Sequence, residues 1–230
     1  MFLIGSVVFY IILFGSAAIG SVWGHVLRRF APDRLLPYGQ AWARMVLAAL
    51  RLFCGIRVEV AGLENIPPGG AILAAQHQSA FDTLVWLTML EKPSYVLKEE
   101  LTKLPLFGPL IVPSGQIALD RTGGGKALRR LVEKVTGALK AGRQIVIFPE
   151  GTRVAPATRG KLQPGIVALA RASDAPVVPV STDSGRLWGR KAFRKRPGTI
   201  HIKVWPPLPK DLDREALITN LEKAFYEAGF

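Results

Sequence analysis

The first 27 residues, Met1 to Leu27, contain no Asp, Glu, Lys or Arg. Few folds accommodate such a run in water. As one helix it would reach roughly 40 Å, more than the about 30 Å hydrocarbon core of a bilayer. A secretory signal peptide is the rival reading, but no Lys or Arg precedes the apolar run and the run is long for a signal. Gly5, Gly15, Gly20 and Gly24 leave room for a broken or re-entrant hairpin. The first cations are Arg28 and Arg29, so a simple span would leave the rest of the chain in the cytoplasm. We expect a retained membrane anchor, and the residues leave spanning and one-leaflet insertion both open.

After Pro32 and Pro37, residues Ala41 to Ile56 carry Trp42, Met45, Leu47, Leu50, Leu52 and Phe53, with Arg44 and Arg51 near one helical face. This pattern fits an interfacial helix with its cations at headgroup depth, or equally a helix packed on the domain. Residues 1–56 therefore read as anchor and interfacial helices, and 57–230 as the soluble-type domain.

From Val58 onward, short apolar runs alternate with helical stretches, the signature of an α/β domain. Strands are expected at Arg57–Ala61, Ala71–Ala75, Ser94–Leu97, Gln116–Leu119, Gln144–Phe148, Val177–Ser181 and Thr199–Val204. Helices are expected at Asp82–Leu90, Pro105–Ile111, Gly125–Ala141, Pro164–Ala172 and Asp211–Tyr226, with Asp82 and Asp211 as N-caps. The strands are too apolar for a one-sided sheet, so the fold expected is a mixed, largely parallel sheet of about seven strands covered by helices on both faces.

The formal charge of +13 and pI of about 10.3 point to anionic partners. Nucleic acid, an acidic membrane surface, an acidic carrier protein and phosphorylated metabolites all satisfy that sign. The one cysteine, Cys54, allows no internal disulfide and no cysteine-based zinc site.

Two segments carry the chemistry. Gln76-His77-Gln78-Ser79-Ala80-Phe81-Asp82 follows an apolar strand, so His77 lies at a strand's carboxyl end, where ligands of open α/β sheets bind. Asp82 can fold back to accept a hydrogen bond from one ring nitrogen of His77, which leaves the other to take a proton from an alcohol. The bland alternative is Asp82 as a helix cap alone. About 70 residues on, Ile145-Val146-Ile147-Phe148 ends in Pro149-Glu150-Gly151-Thr152-Arg153. Gly151 permits a tight turn, Arg153 offers a fork for phosphate oxygens, and Glu150 either accepts from substrate hydroxyls or pairs with Arg153. Ser79 lacks the Gly-x-Ser-x-Gly setting of an esterase nucleophile.

These blocks resemble the 1-acyl-sn-glycerol-3-phosphate acyltransferase (PlsC-like) family of glycerolipid acyltransferases, over roughly residues 50 to 210. His77 to Asp82 matches the family's first block, which implies His77 and Asp82 as the catalytic pair. Gly115-Gln116-Ile117-Ala118-Leu119-Asp120-Arg121 matches the second, which implies a phosphate-binding role for Arg121. Phe148 to Arg153 matches the third, in which Glu150, Gly151, Thr152 and Arg153 would hold the glycerol phosphate. Val178-Pro179-Val180 matches the fourth, and Lys98-Glu99-Glu100-Leu101 resembles a further element whose lysine adds positive charge. Gln76 stands where the family commonly has asparagine.

The resemblance implies acyl transfer from acyl-CoA or acyl carrier protein to the sn-2 hydroxyl of lysophosphatidic acid at a membrane; no metal or resident cofactor is expected, because no residues have ligand spacing. Lyso-ornithine lipid or another lysophospholipid is the alternative acceptor. A hydrolase using His77 and Asp82, and a basic nucleic-acid-binding protein, are the readings from other classes. The second draws on Arg186 to Arg196, where six cations interleave with Leu187, Trp188 and Phe193. That run equally suits an anionic bilayer, an acidic carrier protein or a solvated loop. Gly123-Gly124-Gly125-Lys126 lacks the spacing of a phosphate loop, and His25 and His201 read as structural.

Overall fold

A computed structural model describes residues 2–227 and Gly229. Two long helices open the chain. Helix α1 (Phe2–Phe30) is continuous, and a 3-10 turn at Pro32–Arg34 joins it to α2 (Leu35–Cys54). Helix α2 starts earlier than the sequence suggests, because Pro37 falls in its first turn, where a missing N–H leaves no bond unmade. Gly55, at φ 67°, ends it.

The glycines of α1 do not break it; several mark where other chain segments press against it. A Cβ at Gly5 would meet the Phe53 carbonyl at 2.0 Å, one at Gly20 the Tyr38 hydroxyl at 2.8 Å, and one at Gly24 the Leu110 side chain at 2.6 Å. Helices α1 and α2 therefore form a closely packed antiparallel hairpin, tied further by Trp42 Nε1 donating to Ser16 Oγ at 3.0 Å. Leu3–Phe30 has a mean hydropathy of 2.2 in its most apolar window, long and apolar enough to cross a membrane. Ile4, Ile11, Phe14, Ile19 and Phe30 are exposed on it.

The remainder alternates strand and helix: β1 (Ile56–Ala61), β2 (Ala71–Ala75), α3 (Asp82–Met89), β3 (Pro93–Lys98), α4 (Gly108–Ile111), β4 (Ile117–Leu119), α5 (Gly124–Lys140), β5 (Gln144–Ile147), α6 (Gly165–Ala172), β6 (Val177–Thr182), β7 (Gly198–Val204) and α7 (Arg214–Tyr226). The seven strands lie in the order β1-β7-β6-β2-β5-β3-β4. All neighbours are parallel except β6 and β7. Five strands thus run one way and β1 and β7 the other.

Both faces of the sheet are covered, as the apolar strands require. Ala71, Leu73 and Ala75 of β2 pack with Phe9 of α1, Val46 and Leu50 of α2, and Trp86 of α3. Ile72 and Ala74 face the other way, onto Leu131 and Val135 of α5, Ile166 of α6 and Leu221 of α7. The hairpin thereby shares a core with the sheet.

Two expected caps are not made. Asp213, not Asp211, caps α7, accepting from Ala216 N. Asp82 opens α3 but does not cap it, because its carboxylate turns back to the loop before the helix. The basic run is also more anchored than its charge suggests. Lys195 is 1% exposed; its ammonium donates to Tyr10 Oη at 2.7 Å and to the carbonyls of Ala192 and Phe193. Trp188 is buried as well, in edge contact with Phe9. The run packs on α1, so Trp188 is not available to stack on a nucleobase.

Ile145, fully buried at the middle of β5, should be among the costliest positions to truncate. Ile145→Ala is expected to lower stability by about 2–5 kcal/mol, read as an earlier unfolding midpoint in denaturant.

Candidate active site

The five parallel strands deliver their carboxyl ends to one edge of the sheet, and the chemistry gathers there. His77 follows β2, Lys98 closes β3, Arg121 follows β4, and the Phe148–Arg153 turn follows β5. His77 Nδ1 lies 3.1 Å from Asp82 Oδ2, with the two side chains 12% and 3% exposed. An ionised carboxylate only accepts, so the ring proton sits on Nδ1 and Nε2 is left with its lone pair. The same Oδ2 also accepts the backbone N–H groups of Gln78 and Ser79, each at 2.7 Å. Asp82 Oδ1 accepts the hydroxyl of Ser184 at 2.7 Å. The ring of Phe148 stacks on the imidazole, with centroids 4.0 Å apart and planes 15° apart.

Glu150 turns its carboxylate to the backbone of His77. It is 3% exposed, and its Oε2 accepts the backbone N–H of His77 at 2.7 Å. Tyr226 Oη, from the last turn of α7, donates to Oε1 at 3.3 Å. Among the described residues no ion pair joins Glu150 to Arg153. Val154 N donates to the His77 carbonyl at 2.8 Å, so the same turn grips both backbone polar groups of His77. Gly151, at φ 70°, makes that turn possible; its carbonyl accepts from the Arg121 guanidinium. Burial raises the Glu150 carboxyl from its ordinary 4.5 to about 7, against the opposing pull of the His77 N–H.

His77, Lys98, Arg121, Gly151, Thr152 and Arg153 all line one cavity of about 610 Å³. That volume is in the range of small-molecule sites. Asp82 and Glu150 stand behind its wall. Gly115 does not line it: the Arg143 guanidinium occupies the place of its Cβ, and its φ is 88°. Its neighbours Ser114 and Gln116 do line it.

The rest of the wall was not foreseen from the site motifs. Ala17 and Gly20 of α1, Trp42 of α2, Leu84 and Leu87 of α3 and Leu110 of α4 give the cavity a long apolar side. Arg190, from the basic run, lines it too, and its Nη1 donates to the Arg153 carbonyl at 3.4 Å. Phe148 lay inside a recognised block and was legible as an aromatic beside the turn. Ser184, Tyr226 and Arg190 carry no local signal, since each reaches the site only through the fold. Gln76 uses its extra length to accept from Thr182 N at 3.2 Å. Among the described residues no three His, Cys, Asp or Glu side chains converge as a metal site.

An imidazole oriented by a buried carboxylate, facing a cavity with an apolar wall and cationic side chains, can deprotonate a hydroxyl on an amphiphile bearing negative charge. Known proteins agree with that chemistry. A family model described as Acyltransferase matches residues 57–183. A 1-acyl-sn-glycerol-3-phosphate acyltransferase of Pseudomonas aeruginosa is 35% identical over 227 residues, which is 96% of this chain and 86% of that one. One from Limnanthes alba is 29% identical, over 89% of this chain and 73% of its own length. The crystal structure of the 1-acyl-sn-glycerophosphate (LPA) acyltransferase PlsC from Thermotoga maritima superposes with a TM-score of 0.78 at 24% identity, covering 98% of this chain and 94% of that one.

A raised carboxyl pKa means that the folded protein holds the Glu150 proton more tightly than the unfolded chain does. That contribution is fully present below about 4.5 and is lost as pH rises through about 7. Glu150→Gln keeps an acceptor for the His77 N–H and cannot titrate. The variant is expected to lose less thermal stability than the parent between about pH 4.5 and 7, the window the two values bracket; melting curves across that range check it.

Proposed function

We propose that this chain, which belongs to the acyltransferase family in its 1-acyl-sn-glycerol-3-phosphate acyltransferase (PlsC-like) branch, transfers an acyl group from a thioester donor to the free sn-2 hydroxyl of lysophosphatidic acid. The product is phosphatidic acid. One observation carries the reading. The imidazole poised by Asp82 opens on the same cavity as the guanidiniums of Arg121 and Arg153.

The residues divide the work as follows. His77 Nε2 takes the proton of the acceptor hydroxyl as its oxygen attacks the thioester carbonyl. A carbon–oxygen bond forms, the carbon–sulfur bond breaks, and the departing thiolate takes the proton back from the imidazolium. Asp82 stabilises that imidazolium through Nδ1. Arg121 and Arg153, with Lys98, hold the phosphate and so place the hydroxyl. Glu150 acts from behind, fixing the His77 backbone. The apolar wall from α1 to α4 receives a hydrocarbon chain. The donor, acyl-CoA or acyl carrier protein, is a co-substrate, and we assign no resident cofactor.

Residues of the α1–α2 hairpin both expose apolar side chains and form part of the cavity wall. In this reading they sit in the bilayer, with Leu52, Leu104 and Phe107 extending the exposed apolar surface. Arg28 and Arg29 favour the cytoplasmic side for the catalytic half.

Purified protein assayed with both donor types against several lyso-acceptors tests the proposal. Thioester should be consumed only when lysophosphatidic acid is added; equal consumption without acceptor would mean hydrolysis. His77→Ala is expected to cut kcat by about 10²–10⁴ while membrane association persists, and turnover near the parental rate would remove His77 as the base. Arg153→Lys keeps the charge but not the fork, and should raise KM for the acceptor more than for the donor. Unchanged constants for both would mean that Arg153 does not hold the phosphate.

A further inference from the structure

The catalytic carboxylate is held by a side chain from far along the chain. Ser184 is fully buried, and its hydroxyl donates to Asp82 Oδ1 at 2.7 Å across 102 residues of sequence. The local donors, Gln78 N and Ser79 N, act on Oδ2, the oxygen that also meets His77 Nδ1. They restrain the carboxylate from one side only, through one of its two oxygens. Ser184 supplies the bond to the other oxygen. With both oxygens held, rotation about the Cβ–Cγ bond of Asp82 is restrained at both ends of the carboxylate, and that rotation decides whether a lone pair of Oδ2 points along the Nδ1–H bond.

The geometry points to Ser184 as a positioning residue of the His77–Asp82 pair, acting on the imidazole only through Asp82. The inference rests on the acyl-transfer reading above. It concerns a side chain outside every motif that led to that reading.

The surroundings of Ser184 are arranged to keep it there. Segment 182–185 is bonded to the 76–82 loop at two further points, Thr182 N to Gln76 Oε1 at 3.2 Å and Gly185 N to Gln78 Oε1 at 3.1 Å. A Cβ on Gly185 would come within 3.0 Å of Gln78 and 2.9 Å of Pro156, so the two segments touch with no space for a side chain. On the other side, Asp183 is clamped to β7. Its Oδ1 accepts His201 N at 2.7 Å, and its Oδ2 lies 3.0 Å from His201 Nδ1. The antiparallel part of the sheet therefore sets the place of the residue before Ser184, and Ser184 in turn sets the plane of the catalytic carboxylate.

Such a bond matters most when the imidazole is charged, that is, in the transition state. Its loss should appear in kcat and leave the binding of both substrates alone. Hydrogen bonds to charged groups are among the stronger ones, so Ser184→Ala is expected to lower kcat about 10-fold or more, with KM for lysophosphatidic acid and for the donor unchanged. In ¹⁵N-histidine-labelled protein the downfield Nδ1–H proton of His77, assigned by its absence in His77→Ala, should shift. A double-mutant cycle separates positioning from general packing. In an Asp82→Ala background, assayed with excess enzyme, the further change Ser184→Ala should cost less than about twofold, because the hydroxyl no longer has the carboxylate to act on.

A kcat for Ser184→Ala within about twofold of the parent would overturn the proposal. So would an equal loss in the parent and Asp82→Ala backgrounds. Should Ser184→Ala fold poorly, Ser184→Cys preserves shape with a weaker donor: a lowered kcat supports the proposal and a parental one overturns it. Parental protein that transfers no acyl group would instead sink the acyl-transfer reading, and an active His77→Ala would sink the assignment of His77 as its base. A neutral Ser184 substitution beside a dead His77→Ala sinks only this one.

Discussion

The grip of the 150–154 turn on the backbone of His77 is the interaction on which the site depends. Glu150 Oε2 holds the N–H and Val154 N holds the carbonyl. Each bond joins the end of β2 to the segment after β5, and those two strands are hydrogen-bonded neighbours. The position of the imidazole is thereby tied to the centre of the sheet, its most buried part. The stack of Phe148 on the ring and the bond from Nδ1 to Asp82 then fix the ring's orientation. A buried carboxyl is costly unless its oxygens are satisfied, and Glu150 has the His77 N–H on one oxygen and the Tyr226 hydroxyl on the other. The glutamate beside the glycine turn is thus a strut for the His77 backbone, while Arg121 and Arg153 line the cavity.

Parallel pairing explains why groups distant in sequence converge. β2, β3, β4, β5 and β6 point the same way, so the residues that follow them meet at one edge. The loops there need polar groups to satisfy their own backbone. Gln76, Gln78 and Asp82 all accept from backbone N–H groups within this edge. The antiparallel β7 adds the Asp183–His201 clamp from outside the parallel set.

The apolar hairpin has two roles that follow from one property. Its small residues let α2 and α4 approach α1 closely, and its exposed large ones leave an apolar outer surface. Its inner side lines the same cavity as His77. The basic run completes this junction, with Lys195 buried against α1 and Arg190 beside Arg153 at the cavity.

Every strand was readable within about a residue, the central ones as short continuous apolar runs bounded by turn residues and β1 and β7 as alternating runs. The apolar N-terminal run was readable as an anchor for a related reason, although its glycines left open whether it stays one helix. His77, Asp82 and Arg153 were readable as chemistry because each follows such a run within a few residues. What the linear chain determined, then, was the order of elements and the groups placed at strand ends, both local properties of composition and spacing. Only the tertiary structure decided that Glu150 turns inward, that Asp82 orients the imidazole instead of capping its helix, and that Ser184, Tyr226 and Arg190 belong to the site. Those outcomes depend on which strands become neighbours, and burial and hydrogen-bond satisfaction across tens to hundreds of residues leave no periodic trace in the sequence.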